Sequence, residues 1–106
     1  MADFCVVLVT YPARREAQKA ARLLVQNKLA ACVSIIPGVS SFYSWKGKRV
    51  RSSEVLALAK TRRRLVPKLI RFVRSHHSYA CPEILALPVA AGSPGYLDWV
   101  RKGTRA

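Results

Sequence analysis

Acidic side chains are scarce in this chain. Asp3, Glu16, Glu54, Glu83 and Asp98 are the whole supply among 106 residues, against nineteen lysines and arginines. They are scattered singly, so the paired carboxylates of an acid–base catalytic site are missing. Glycine is sparse as well, and neither a GxxxxGK[ST] phosphate loop nor a GxGxxG dinucleotide fingerprint occurs. No GxSxG elbow presents a nucleophilic serine. The three cysteines, Cys5, Cys32 and Cys81, are odd in number and far apart, without a CxxC pair. That spacing excludes a zinc-type ligand set, and they read as small apolar residues in strands. No apolar run reaches the roughly 18 residues of a membrane-spanning helix, so no membrane partner is expected. The first residues, MADFCVVLVTYP, carry Asp3 and no basic segment before the apolar run. They read as a strand with no signal peptide evident, and the expected compartment is the cytoplasm. These absences together predict a protein that is not an enzyme.

What is present is an apolar fraction of 51% and a formal net charge of +14 at pH 7. A length of 106 residues suits one domain, residues 1–106, with ample material for a packed interior. The excess of cations predicts salt-dependent, largely sequence-independent attraction to nucleic acid or another polyanion.

The stretch from Leu29 to Thr61 organises the rest. Val39, Ser41, Tyr43 and Trp45 alternate with Ser40, Phe42 and Ser44, which is the period of a pleated strand. A tight turn at Trp45-Lys46-Gly47-Lys48 leads into a second arm, where Glu54, Leu56, Leu58 and Lys60 alternate with Val55, Ala57 and Ala59. Arms of this length project beyond a domain of this size, and the aromatic end then needs a second subunit to cover it. Pro37-Gly38 interrupts the first arm and predicts a bulge or bend.

Before the hairpin, Asp3 to Thr10 reads as a strand buried on both faces. Pro12 is expected at the first position of a helix that places Ala17, Ala20, Ala21, Leu24 and Val25 on one face. That helix is expected to close near Asn27 with a left-handed cap. After the hairpin, Arg62 to His76 reads as a helix with Leu65, Leu69, Phe72 and Val73 inward. Its regular part is expected from about Arg64, with Pro67 in the first turn. Pro82 to Ala90 reads as a strand that Pro88 marks as an edge or an end. Ser93-Pro94 caps a last helix, Pro94 to Lys102. The order βαββαβ plus a terminal helix predicts an α+β, ferredoxin-like fold, an antiparallel sheet with helices on one face.

The blocks VVLVTYP, LLVQNKLAACVSIIPGVSSFYSWKGK, EVLALAKT, HHSY, PEILALPV and GSPGYLDWV occur in that order. In them the chain resembles the CutA, or divalent-cation tolerance, family over nearly its whole length, about Val6 to Val100. The resemblance implies a PII-like homotrimer in which the long hairpin reaches the neighbouring subunit, with Phe42, Tyr43 and Trp45 at the trimer interface. It also implies a role in divalent metal tolerance, with Cu2+ or another divalent cation bound, no cofactor required and no settled reaction. The copper ligands of the family are a cysteine near the end of the first strand and a histidine pair. Here those positions are Val9, His76 and His77, and Ser78 follows where many members have proline.

The charge pattern departs from the family, which is acidic after the first strand and around the hairpin turn. This chain has Arg14-Arg15 and then Lys46, Lys48, Arg49 and Arg51. With Arg62, Arg63 and Arg64 these form the expected polyanion-binding set, and they suggest an engineered, positively charged trimeric scaffold or cage component that binds nucleic acid. Phe42, Tyr43 and Trp45 then have two readings, base stacking beside cations or packing between subunits. His76 and His77 are adjacent and point in different directions on a regular element, so the residues alone favour a helix-end cap over ligation. Glu54 and Glu83 are expected to pair with nearby cations. A functional reading puts Glu83 with Tyr79 in an intersubunit cleft.

Overall fold

The first strand decides what the rest of the chain packs against. In a computed structural model, which describes residues 3–104, strand β1 (Phe4–Tyr11) pairs on both sides and reads FCVVLVTY. Helix α1 (Arg14–Gln26) follows, then β2 (Cys32–Trp45) and β3 (Lys48–Arg62). A 3-10 turn over Arg63–Leu65 leads into α2 (Val66–His76), β4 (Ile84–Pro88) and α3 (Pro94–Gly103). The sheet order is β2-β3-β1-β4 and every neighbour is antiparallel. This is the expected α+β, ferredoxin-like arrangement.

Side-chain alternation divides the sheet into two faces. Val7, Val9 and Tyr11 join Val55, Ala57 and Ala59 on one, where Ala17 and Leu24 of α1 and Leu69 and Val73 of α2 cover them. The opposite face carries Val6, Leu8, Leu56, Leu58, Leu85 and Leu87, and Leu85 and Leu87 remain 54% and 47% exposed.

The hairpin is as long as the alternation suggests. β3 pairs with β1 only from Val55 to Arg62, so Lys48 to Glu54 hydrogen-bond to β2 alone and overhang the domain. Seven residues at about 3.3 Å each give an overhang of roughly 23 Å, which accounts for the 44 Å long axis. The register jumps from Ile36↔Leu56 to Val39↔Glu54, which leaves Pro37 and Gly38 as the bulge. Gly38 has φ +75°, a conformation that glycine adopts without strain. At the tip, Lys46 and Gly47 have φ of 52° and 77°, the two positive values of a type I′ turn.

Local expectations change at several points. The regular part of the second helix starts at Val66 and not near Arg64, because Arg62 ends β3 and Arg63–Leu65 forms a 3-10 turn. Pro12 lies one residue before the cap, because Ala13 is extended at φ −145° and the helix starts at Arg14. Asn27 keeps φ −88° and donates from Nδ2 to the Leu23 carbonyl at 2.7 Å, while Lys28 takes the left-handed position. Val25 is 43% exposed, because the buried stripe follows Ala17, Ala20 and Leu24 and leaves it at the side. Cys81 is an exposed loop residue ahead of β4, whereas Cys5 and Cys32 sit in strands. Ser93 holds the cap position of α3 without a side-chain cap bond, and the first-turn proline Pro67 and the strand-end proline Pro88 stand as expected.

The returning end of β3 is fastened by side chains. The Thr61 hydroxyl, fully buried, donates to the Leu29 carbonyl at 2.6 Å. Arg62 donates to the hydroxyl and the carbonyl of Thr104, both at 3.0 Å, which ties the end of α3 to the sheet. Thr61→Val removes the first bond and leaves a buried carbonyl without its donor. A loss of about 1–3 kcal/mol is expected, measured as a lower urea midpoint with an unchanged slope.

Candidate functional site

The hairpin overhang forms one wall of a cleft of about 820 Å³. The loop between α2 and β4 forms the other, with Ser78, Tyr79, Ala80, Cys81 and Glu83. Phe42, Tyr43 and Trp45 line the hairpin side and are 74%, 44% and 58% exposed. Glu54 lies at the foot of the overhang, opposite the bulge, and is only 8% exposed. The cleft therefore exists because β3 outruns β1 and the 78–83 loop folds back beneath it.

That loop is held by His77. Its side chain is fully buried and stacks on Tyr11 with 4.5 Å between centroids and 13° between planes. Nε2 lies 2.7 Å from the Thr10 carbonyl. A carbonyl can only accept, so Nε2 carries the proton, and Nδ1 accepts the Tyr79 N–H at 3.0 Å. Glu16 completes the latch from α1, where its two oxygens accept from the Ser78 N–H at 3.0 Å and the Ser78 hydroxyl at 2.7 Å. A proline at position 78 would supply neither bond. Sequence reasoning missed this role for Glu16, although an acid in the first turn of a helix in so basic a chain was its signal.

Tyr79, positioned by the latch, donates its hydroxyl to Glu54 Oε2 at 3.0 Å. Burial, then the hydrogen bond and charge of Glu54, push the Tyr79 phenol up to about 12. Tyr11 is raised to about 12 by burial and by the charge of Glu16. Glu83 lines the same cleft as Tyr79 and Glu54. Among the described residues, neither Glu54 nor Glu83 has a lysine or arginine within ion-pair distance. The pairing expected for both is thus replaced: Glu54 takes a phenol as its partner because Tyr79 is the donor that the latch brings to it.

The histidine pair does not fit a copper ion. His76 is exposed, stacks on Phe72 at 4.3 Å and points Nδ1 at the Phe72 carbonyl, 2.8 Å away. His77 has both ring nitrogens engaged within the chain, and Val9, 1% exposed in the core, offers a hydrocarbon where a thiolate is needed. Among the described residues no group of three His, Cys, Asp or Glu is arranged to hold a metal.

The cations do not form one patch. Lys46, Lys48, Arg49 and Arg51 are exposed on the overhang. Arg14 and Arg15 open α1 at the end where β1 finishes, while Arg63 and Arg64 lie beyond the opposite end, where Phe4 faces Arg62. Arg62 is half-buried and bonded to Thr104, so it acts as a structural clamp and not as part of the expected polyanion set. No helix of the described residues is long and apolar enough to cross a membrane.

Comparison with known proteins bears on this arrangement. A family model described as CutA1 divalent ion tolerance protein matches residues 5–103. The divalent-cation tolerance protein CutA of Thermus thermophilus is 48% identical over 99 residues, which cover 93% of this chain and 96% of that protein. The chloroplastic protein CutA of Arabidopsis thaliana is 47% identical over 100 residues, 94% of this chain. The chain spans about half, 55%, of the length of that protein and of the mouse protein CutA. Among solved structures, the divalent cation tolerance protein (Cut A1) from Thermus thermophilus superposes with a TM-score of 0.93 at 46% identity, covering 96% of this chain and 99% of that one. CutA1 from Oryza sativa superposes with a TM-score of 0.95 at 39% identity, covering 98% and 95%.

The raised phenols give a pH signature. Tyr11 and Tyr79 hold their protons more tightly in the folded state than at the ordinary value of 10.0. Their contribution to stability is therefore complete below about pH 10 and declines as pH rises towards 12. Tyr96 is raised as well, chiefly by burial. Absorbance titration is therefore expected to show Tyr11, Tyr79 and Tyr96 ionising late, one fewer in Tyr79→Phe, and alkaline stability is expected to fall less steeply in that variant.

Proposed function

This chain belongs to the CutA1 divalent ion tolerance family, and we propose that it serves divalent-cation tolerance as a non-enzymatic binding protein, a homotrimer working in the cytoplasm. The observation that carries the assembly is the apolar surface left open by the single chain. Leu85 and Leu87 are in register with Leu8 and Val6 on the sheet face away from α1 and α2. Phe42 and Trp45 are exposed at the end of the overhang. Apolar surface of this kind, beside a strand edge that hydrogen-bonds on one side only, suits a second copy of the chain. Three copies is the number that the family resemblance implies.

Binding is favoured over chemistry by the state of the cleft's polar groups. With its pKa raised to about 12, Tyr79 stays a phenol at neutral pH and acts as a fixed donor, not as a base. Copper at His76 and His77 has no place in this reading, since both His77 nitrogens and Nδ1 of His76 are engaged within the chain. The unpaired thiols of Cys5, Cys32 and Cys81 suit a reducing compartment. Light scattering is expected to give three times the 11.8 kDa of one chain, and the double variant Phe42→Ala/Trp45→Ala is expected to shift the mass towards the single chain. A parent protein at the single-chain mass rejects the homotrimer.

A second reading rests on the overhang's charge. Lys46, Lys48, Arg49 and Arg51 are exposed there, and Phe42 stands directly across from Arg51. A ring beside cations is the arrangement that stacks a base and neutralises phosphate, so the hairpin rim is proposed as a nonspecific site for single-stranded nucleic acid on a re-charged scaffold. Binding of an oligonucleotide is expected to weaken steeply with salt. The double variant Arg49→Ala/Arg51→Ala is expected to reduce the log–log slope by about 1.4, at roughly 0.7 per phosphate contact. Absence of binding at low salt rejects this reading.

A further inference from the structure

The cleft beneath the hairpin contains a carboxylate with no counter-cation among the described residues. Glu54 is 8% exposed, and buried carboxylates are ordinarily paired with a cation. In a chain with nineteen lysines and arginines, Glu54 instead accepts one hydrogen bond, from Tyr79 to Oε2. Oε1 has no partner among the described residues, yet it is not sealed from solvent, because no fully buried side-chain oxygen of those residues lacks a partner. It therefore opens onto the cleft that Glu54 lines. Glu83 adds a second acid to the same walls, so two of the chain's five acids converge on this one space.

The remaining lining is aromatic. Tyr43 and Trp45 share the ribbon face of Glu54 and line the cleft with Tyr79, while Phe42, also at the cleft's border, alternates to the other face beside Arg51. Aromatic faces attract cations through their quadrupoles and also bury apolar groups, a combination used to recognise ammonium groups. A volume of about 820 Å³ is that of a small-molecule site. A bare divalent ion fits poorly, because it needs six or more oxygens, and the cleft offers rings instead.

We propose that this cleft binds a small organic cation, with its ammonium charge on Glu54 and Glu83 and its apolar body against Trp45 and Tyr43. The ligand supplies the positive charge that the chain withholds from Glu54. Tyr79 fixes the carboxylate's orientation through Oε2, and the His77–Glu16 latch fixes Tyr79. The inference rests on the reading of the protein as a binding module and not on its assembly, because residues of one chain line the cleft.

The test uses the full chain, with its mass measured first, and isothermal calorimetry with two probes. One is choline and the other is 3,3-dimethyl-1-butanol, its uncharged isostere. Choline is expected to bind and the isostere to bind about tenfold more weakly or not at all. Glu54→Gln keeps an acceptor for Tyr79 while removing the charge. It is expected to weaken choline by about tenfold with the isostere unaffected. Equal binding of the two probes, or equal choline affinity in the parent and Glu54→Gln, overturns the proposal. So does an assembled parent that ignores choline while Glu54→Gln dissociates, because a cation of a second copy then occupies the carboxylate. A parent of single-chain mass that still binds choline supports this site and rejects only the homotrimer.

Discussion

β3 is fifteen residues long and its neighbour β1 is eight, and the hairpin wall of the cleft follows from that mismatch. Backbone hydrogen bonds must be satisfied where they are buried. β3 is therefore central along its inner half, from Val55 to Arg62, and peripheral along its outer half. The change occurs at Glu54, where the bulge of Pro37 and Gly38 re-aims the partner strand. Outside that point the ribbon has faces that its own helices do not reach. One side of the cleft, the exposed aromatics and the unpaired strand edge thus share one origin.

Electrostatics divides along the same line. Two of the three described acids away from the cleft have side-chain partners: Glu16 fastens Ser78, and Asp98 meets Lys102 at 3.0 Å and Arg101 at 3.4 Å. The Asp98 carboxyl is held below the usual carboxylate range, chiefly by the hydrogen bond from Lys102. Glu54 differs because its surroundings are a phenol and a cleft. The +14 chain thus combines an exposed cationic rim with a pocket whose ionised side chains are acidic. The rim and Glu54 lie within one hairpin, Glu83 faces them from the loop ahead of β4, and the two surfaces favour ligands of opposite charge.

Much of this fold was legible in the residues. The alternation from Val39 to Trp45 located the overhang, Pro37-Gly38 located the bulge, and Ser93-Pro94 located the start of α3. Such signals survive because each reflects a constraint within a few positions, whether pleat, missing donor or cap. The errors were also local in character. The helix start near Pro12 moved by two residues and the left-handed residue moved from Asn27 to Lys28, shifts of the size at which helix ends fray. Within the candidate site, Tyr79 and Glu83 were anticipated together, whereas the partner of Glu54 and the latch by Glu16 were not.

The sequence by itself determined the order of elements, the antiparallel hairpin and its length, and the excess of cations, because periodicity, turn residues and charge are properties of neighbours along the chain. Tertiary structure alone decided which groups work together. Tyr79 reaches Glu54 across 25 positions, Ser78 reaches Glu16 across 62, and His77 reaches Thr10 across 67. It likewise turned His77 from a candidate ligand into a latch with both nitrogens engaged, and Arg62 from a candidate polyanion contact into a clamp on Thr104. Those outcomes depend on sheet register and on how far β3 outruns β1, and the contacts they create join segments that no local pattern connects.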